Sequence, residues 1–121
     1  MAQEERPADE GKLREKMIEF IQTKLSLNRA EAEQFQPLFV NYFKDLKQTN
    51  REYKGRGLEL QQKIVELRLH YRDQFKPILG EKRSNEVFDH EREFVRRIQN
   101  EIRERRQDRK DGRANKRIIS R

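Results

Sequence analysis

Apolar residues recur along most of this chain at the three- and four-residue spacing of amphipathic helices. The clearest stripe lies between Leu27 and Tyr53, where Asn28 and Glu31 have the types and spacing of a capping box that opens a helix. Pro37 lies inside this stripe, and because the apolar phase is the same on both sides of it, we expect a bend there rather than a break. The pattern predicts one long helix, whose apolar face consists of Ala32, Phe35, Leu38, Phe39, Tyr42, Phe43 and Leu46.

Three further stripes of the same kind predict three more helices. The first helix is expected to begin at an N-cap on Asp9 and to end near Ser26, so that it meets the long helix at a corner without a loop. Gly55 and Gly57 mark a turn after the long helix, and Gly80 ends the third helix or caps the fourth. The apolar positions of these helices are Leu13, Met17, Phe20, Ile21 and Leu25, then Leu60, Ile64, Leu67, Tyr71, Phe75 and Ile78, then Val87, Phe88, Phe94, Val95, Ile98 and Ile102.

No stretch of the chain has the alternating pattern of a strand, so the sequence predicts an all-α fold. We expect a long antiparallel four-helix hooked hairpin, with the second and third helices as its arms. Only 32% of the residues are hydrophobic and 42% are charged, which predicts a thin apolar core that dimerisation would complete. The expected organisation is a disordered N-terminus over 1–8, one helical domain over 9–110 and a basic flexible tail over 111–121.

The residue types that carry catalysis are missing or stand outside catalytic contexts. There is no cysteine, no glycine-rich phosphate loop and no nucleophilic context around Ser26, Ser84 or Ser120. His70 and His90 are predicted to lie on different helices, each without an i, i+4 ligand partner. We therefore expect no enzymatic activity, no cofactor and no metal site, with a metal-sensing protein as an alternative.

The net charge of +7 is concentrated at the C-terminal end, where residues 103–121 contain nine Lys and Arg against three Asp and Glu. Three interpretations stay open: a solvated helix end with i, i+4 charge pairs, a contact with an anionic surface or acidic partner, and a nucleic-acid-binding helical hairpin. No aromatic residue is interleaved with these charges, which makes nucleic acid the less favoured partner. The basic residues that would make the contact are Arg103, Arg105, Arg106, Arg109 and Lys110.

Two short motifs carry a resemblance to a known family. The segment 27–31, Leu-Asn-Arg-Ala-Glu, and the segment 79–83, Leu-Gly-Glu-Lys-Arg, stand where a repeated LTxxQ motif would be. The segments 35–42 and 75–82, which begin Phe-Gln-Pro-Leu and Phe-Lys-Pro-Ile, repeat a second pattern, and an Arg-rich end follows Glu91-Arg92-Glu93-Phe94. In order and spacing the chain resembles the Spy/CpxP family of small helical envelope proteins, in its Bacteroidetes-type branch. The motif residues that carry the resemblance are Leu27, Asn28, Glu31, Pro37, Leu79 and Gly80.

The resemblance implies a periplasmic location and a homodimer that forms a curved cradle. Relatives act as ATP-independent chaperones or as regulators of envelope-stress signalling, so the implied partners are unfolded or partly folded proteins, or a signalling protein. The N-terminus has no basic start or apolar centre of a signal peptide, and no run of about eighteen apolar residues could span a membrane. We expect either a cytoplasmic protein or a mature form, and the resemblance favours the latter.

A cradle for unfolded chains needs apolar contacts surrounded by charge, so that binding stays adaptable and reversible. Leu58, Val65 and Leu69 lie off the apolar stripe of the third helix and are candidates for such contacts. Phe39 and Tyr42 are candidates for an aromatic platform. The alternative for all five residues is packing: in a dimer interface or under the first helix for the aliphatic ones, and in the core for the aromatic ones.

Overall fold

The computed structural model of the chain describes the backbone of residues 2–119 and the side chains of residues 11–108, and most of this part is helical. Within that part there is no β-strand, and the helices are α1 (Ala2–Lys24), α2 (Arg29–Glu52) and α3 (Gly57–Ile119). α3 is interrupted at Gly80, whose φ of 84° and ψ of 169° are not helical. The predicted all-α class is confirmed.

The corner between α1 and α2 is built from backbone hydrogen bonds and a cap. At the end of α1 the Leu27 amide donates to the Gln22 carbonyl at 3.0 Å, and Ser26 adopts a left-handed φ of 52°. This is the Schellman pattern, in which glycine more often holds the left-handed position. Asn28 then caps α2, because its Oδ1 accepts from the Glu31 amide at 2.8 Å while Glu31 Oε1 accepts from the Asn28 amide at 3.1 Å. The predicted capping box is confirmed.

The other interruptions also lie where glycine and proline predict them, with one difference. α2 passes through Pro37 without a break, as expected, whereas a bend near this residue stays a prediction. The turn between α2 and α3 contains Gly55 at a φ of 86°, and the Arg56 amide donates to the Tyr53 carbonyl at 3.0 Å. Gly80 has a non-helical backbone at the predicted boundary between the third and fourth helices, but the residues on its two sides form one interrupted helix, α3, instead of two separate ones.

Both terminal helices are longer than the sequence predicts. α1 begins at Ala2 and not at Asp9, and α3 continues through Asp111 and Gly112 to Ile119. The residues in these segments include many good helix formers, and one glycine inside a helix costs only about 1 kcal/mol relative to alanine. Their side chains lie outside the described residues, so disorder over 1–8 and flexibility over 111–121 stay predictions.

The chain divides into two compact units, residues 1–91 and residues 92–121, at a boundary that the sequence did not indicate. The first unit contains a core of aromatic rings. Phe35 packs on Phe75 with ring centroids 5.2 Å apart, and Tyr42 packs on Tyr71 at 5.4 Å and on Phe88 at 5.5 Å. Apolar residues of α1 and of the corner that follows it add to this buried set: Met17, Ile18, Ile21 and Leu25.

These contacts define how the elements of the first unit run. Phe35 meets Phe75 and Tyr42 meets Tyr71, so α2 and the part of α3 before Gly80 are antiparallel. After the break α3 runs beside α2 in the same direction, with residue 83 next to residue 31 and residue 91 next to residue 42. The aromatic stripe of α2 is therefore covered from two sides by the two parts of one interrupted helix.

Candidate functional site

Arg83 joins the two corners of the first unit. Its Nε donates to the carbonyl of Leu79 at 3.0 Å, immediately before the Gly80 break. Its Nη1 donates to Glu31 Oε1 at 3.2 Å and lies 3.5 Å from the carbonyl of Leu25 at the end of α1, while its Nη2 donates to Glu31 Oε2. Such a two-pronged contact matches the planar guanidinium to the carboxylate. The hydrogen bond from Arg83, followed by that from the Asn28 amide, holds the pKa of Glu31 below its usual value.

A buried polar network lies at the centre of the same unit. The hydroxyl of Tyr42 donates to the carboxylate of Glu91, at 2.7 Å from Oε1 and 2.9 Å from Oε2, and accepts from Arg68 Nε at 3.2 Å. Arg68 Nη2 lies 3.6 Å from Glu91 Oε1. Burial, together with the negative charge of Glu91, raises the pKa of Tyr42. The Tyr42 hydroxyl thus donates to Glu91 and accepts from Arg68, so this network connects α2 to both parts of α3.

Tyr71 extends this polar layer toward the surface. Its hydroxyl donates to Asp45 Oδ2 across the α2–α3 pair. Burial raises the pKa of Tyr71 to about 12, with the hydrogen bond to Asp45 adding to the effect. The tyrosine rings thus belong to the aromatic core, while their hydroxyls connect α2 to α3 through carboxylates.

A small groove opens beside the network, between the two parts of α3. Its volume is about 130 Å³, and Phe88 lies in it at 9% exposure. Arg68 and Arg72 flank it with half-buried side chains. The volume is roughly that of four water molecules, which suits one apolar side chain and is below the size of usual cofactor pockets. The groove is lined by Val65, Arg68, Leu69, Arg72, Asn85 and Phe88.

The structure separates the five residues expected to contact a client. Val65 and Leu69 line the groove and are 53% and 45% exposed. Leu58 is exposed but does not line it. Phe39 and Tyr42 are fully buried, so they belong to the core and offer no side-chain surface to a client. The expectation of an aromatic platform is corrected accordingly, because these rings face the helices that cover α2.

The motif residues take structural positions, as their types predict. Asn28 and Glu31 form the cap, Leu27 is half-buried at the corner and Leu79 is buried next to the break at Gly80. Pro37 is exposed inside α2.

Neither histidine is among the residues that line the groove. His70 stacks edge-on against Tyr71, and its Nε2 is 2.7 Å from Gln74 Nε2. Among residues 11–108 no three His, Asp or Glu side chains converge as metal ligands would. No helix in the described part of the chain combines the length and apolarity that a membrane crossing requires. Of the tail residues, Arg103, Arg105 and Arg106 are exposed, while the side chains of Arg109 and Lys110 lie outside the described residues.

Sequence reasoning missed the polar partners of this site. Arg68 and Arg72 recur with Val65 and Leu69 at spacings of three and four, a helical face that a search for mixed apolar and cationic stripes would have found. Glu31 and Arg83 both occupy motif positions, and their opposite charges fit a contact without identifying it among the many charged residues of the chain. Glu91 and Phe88 come from beyond the Gly80 break, and nothing local in the sequence connects them to Tyr42.

No family model, no curated protein and no solved structure matches this chain. The function must therefore be argued from the geometry of the chain itself.

Proposed function

We propose that this protein is a non-enzymatic binding protein of the Spy/CpxP type, acting as an ATP-independent chaperone or as a regulator of envelope-stress signalling. Its ligands would be apolar segments of unfolded or partly folded proteins, or of a signalling partner. The observation that carries this proposal is the groove in which exposed Val65 and Leu69 lie over Phe88, between two arginines.

The groove favours weak, adaptable binding. Its volume of about 130 Å³ admits one apolar side chain at a time, and the aliphatic residues beside it supply contacts without a fixed shape. Arg68 and Arg72, which contact Glu91 and Asp73, place guanidinium groups at its edges, so segments that carry a hydrogen-bond acceptor next to an apolar side chain would bind best. Arg68 is held in place by Tyr42 and Glu91, which keeps its guanidinium at the groove whether or not a ligand is present.

The contact between Glu31 and Arg83 supports the family resemblance. Both residues occupy the fifth position of a motif copy, and in the first unit they hold the α1–α2 corner against the Gly80 break. We further propose the four-helix hooked hairpin, completed by dimerisation, and a periplasmic location. The thin core and the exposed aliphatic residues of α3 favour a dimer in which a second copy would cover these residues. Sedimentation at several protein concentrations tests for this dimer.

The test of the binding function is an aggregation assay on a denatured model client. We expect the full-length protein to suppress aggregation without nucleotide and the Val65→Ser/Leu69→Ser variant to lose most of this suppression. Leu58→Ser is the matched control, since Leu58 is an 84% exposed apolar residue of the same helix that does not line the groove. It should suppress aggregation as well as the parent does.

Two results would count against the proposal. If the parent protein does not suppress aggregation at low or moderate ionic strength, the chaperone function is wrong and the regulatory one remains. If Leu58→Ser and the groove variant lose activity equally, general surface apolarity and not the groove binds the client. Circular dichroism of each variant shows whether the fold is kept.

A further inference from the structure

The entire net charge of the protein lies in its second unit. Residues 92–121 contain twelve Lys and Arg and five Asp and Glu, which gives +7, the net charge of the whole chain. Residues 1–91 contain seventeen residues of each sign. A partner that responds to charge at long range therefore meets the C-terminal part of α3, and the groove of the first unit belongs to an electrically neutral body.

The charges of this unit are segregated around the helix. At about 100° per residue, Val95, Ile102 and Arg106 fall within about 20° of one line along α3. Arg103 and Arg105 lie within about 80° of that line. These five residues define what we call the cationic face. The four acidic residues of this unit whose side chains the structure describes all lie about 120° or more away from the line, and they are Glu93, Glu101, Glu104 and Asp108.

The exception to this segregation is already paired. Arg97 lies on the acidic side, and its Nη2 contacts Glu93 Oε2 at 3.4 Å in an i, i+4 ion pair. On the cationic face Arg103 and Arg106 are three residues apart and have like charge, an arrangement that weakens an isolated helix. A partner of opposite charge along this face would relieve that repulsion.

The cationic face also presents apolar side chains. Val95 is 40% exposed and Ile102 is 46% exposed. Ile102 lines a shallow recess of about 360 Å³ together with Gln99, Arg103 and Arg106. An aliphatic side chain between two guanidinium groups suits a boundary where phosphates meet hydrocarbon. There the guanidinium groups can bind phosphates while the aliphatic side chain contacts hydrocarbon.

The combination of arginines with exposed aliphatic side chains distinguishes between nucleic acid and an anionic bilayer as the partner of this face. A nucleic-acid backbone offers phosphates but no apolar partner for Val95 and Ile102, and no aromatic residue follows Phe94 on which bases could stack. An anionic bilayer offers both phosphates and acyl chains. A flat surface can also contact one half of a helix while the acidic side faces water.

We propose that the cationic face of α3 binds the surface of anionic phospholipid bilayers, with the helix lying parallel to the surface and not crossing it. The arginines contact headgroup phosphates, and Val95 and Ile102 enter the boundary between headgroups and acyl chains. Each basic side chain near such a surface adds to the attraction, which declines as salt screens it. This function is independent of the groove, so the protein would bind clients while held at a membrane surface.

The test is co-sedimentation of the full-length protein with vesicles of phosphatidylcholine containing phosphatidylglycerol, and with vesicles of phosphatidylcholine alone. We expect binding to the anionic vesicles only, and weaker binding at high salt. Arg103→Gln/Arg106→Gln should reduce the partition coefficient by roughly tenfold to thirtyfold. Asn100→Glu/Gln107→Glu is the matched control, because it lowers the net charge equally on the acidic side of the helix, and it should reduce binding by less than about threefold.

Ile102→Ser separates lipid from nucleic acid as the partner. It should weaken binding to anionic vesicles several-fold and leave any binding to duplex DNA unchanged. The proposal is overturned if the parent protein ignores anionic vesicles at low salt, or if both double variants lose binding equally. It is also overturned if DNA binds more tightly than the vesicles while Ile102→Ser has no effect on either.

Discussion

Arg83 and Glu31 occupy the fifth position of two motif copies that lie 52 residues apart in the chain, and their side chains meet in a two-pronged ion pair. Glu31 also completes the cap of α2, and Arg83 also binds the Leu79 carbonyl before the break in α3. One contact thus connects both local motifs. Because Glu31 belongs to the cap of α2 and Arg83 lies beside the break in α3, the ion pair connects these two features directly.

Glu31→Gln and Arg83→Gln should each lower the melting temperature, by about 4 °C, because each leaves the partner without its charge-assisted hydrogen bonds. The double variant should melt higher than the sum of the two losses predicts, since its amides can pair with each other. Thermal unfolding of all four proteins measures this coupling. Strictly additive losses would show that the two residues act separately.

The Glu31 pair should also make stability depend on acid pH. Arg83 lowers the pKa of Glu31 in the folded state. The ion pair therefore adds its full stability above the pKa that Glu31 has in the unfolded chain. This stability is lost as the pH falls through the pKa that Glu31 has in the folded protein. Denaturant unfolding across the acid range should show a smaller loss for Arg83→Gln than for the parent. Equal pH profiles would contradict this linkage.

Gly80 and Gly57 should respond to alanine with opposite signs. Gly80 has a φ of 84° and a ψ of 169°, a region that glycine occupies almost alone, so Gly80→Ala should destabilise by about 1–3 kcal/mol. A Cβ meets nothing within 4 Å at either glycine, so backbone strain alone decides the difference. Gly57→Ala at the start of α3 should stabilise by about 0.4–1 kcal/mol. Urea unfolding of both variants is the measurement, and losses of the same size would contradict the break.

Tyr42→Phe should destabilise the protein by about 1–3 kcal/mol, because the buried carboxylate of Glu91 and the guanidinium of Arg68 both lose a hydrogen bond. Tyr53→Phe is the control, a half-exposed tyrosine in the turn after α2, and should change stability by less than about 0.5 kcal/mol. If the two variants unfold at the same urea concentration, the network contributes nothing to stability.

Tyr71 should make the fold lose stability in alkali. Its pKa is about 12 in the folded state against 10.0 for the ordinary group, so the folded protein keeps the proton longer than the unfolded chain does. Stability is therefore full below about pH 10 and declines as pH rises toward 12, by up to about 2 kcal/mol. Tyr71→Phe should be less stable at neutral pH and show a flatter alkaline decline. Melting temperatures across this pH range, with Tyr53→Phe as control, measure the difference.

Local interactions explain why much of the helical plan was predictable. The capping box of Asn28 and Glu31 lies within four consecutive residues, and the glycine interruptions follow from the backbone freedom of single residues. The helix termini at Ala2 and Ile119 were not predictable in the same way. Near these termini good helix formers only slightly outweigh isolated helix breakers, so the sequence does not fix the residue at which each helix begins or ends.

By itself, the sequence determined the helical class, the cap, the position of the breaks and the gathering of positive charge after residue 102. Each of these depends on residue types and on spacings of one or two helical turns. The tertiary structure decided that Arg83 meets Glu31, that Phe39 and Tyr42 are buried, and that Val65 and Leu69 stay exposed over Phe88. These outcomes depend on which helix faces pack together across the break at Gly80, and a stripe of apolar residues does not say which partner will cover it.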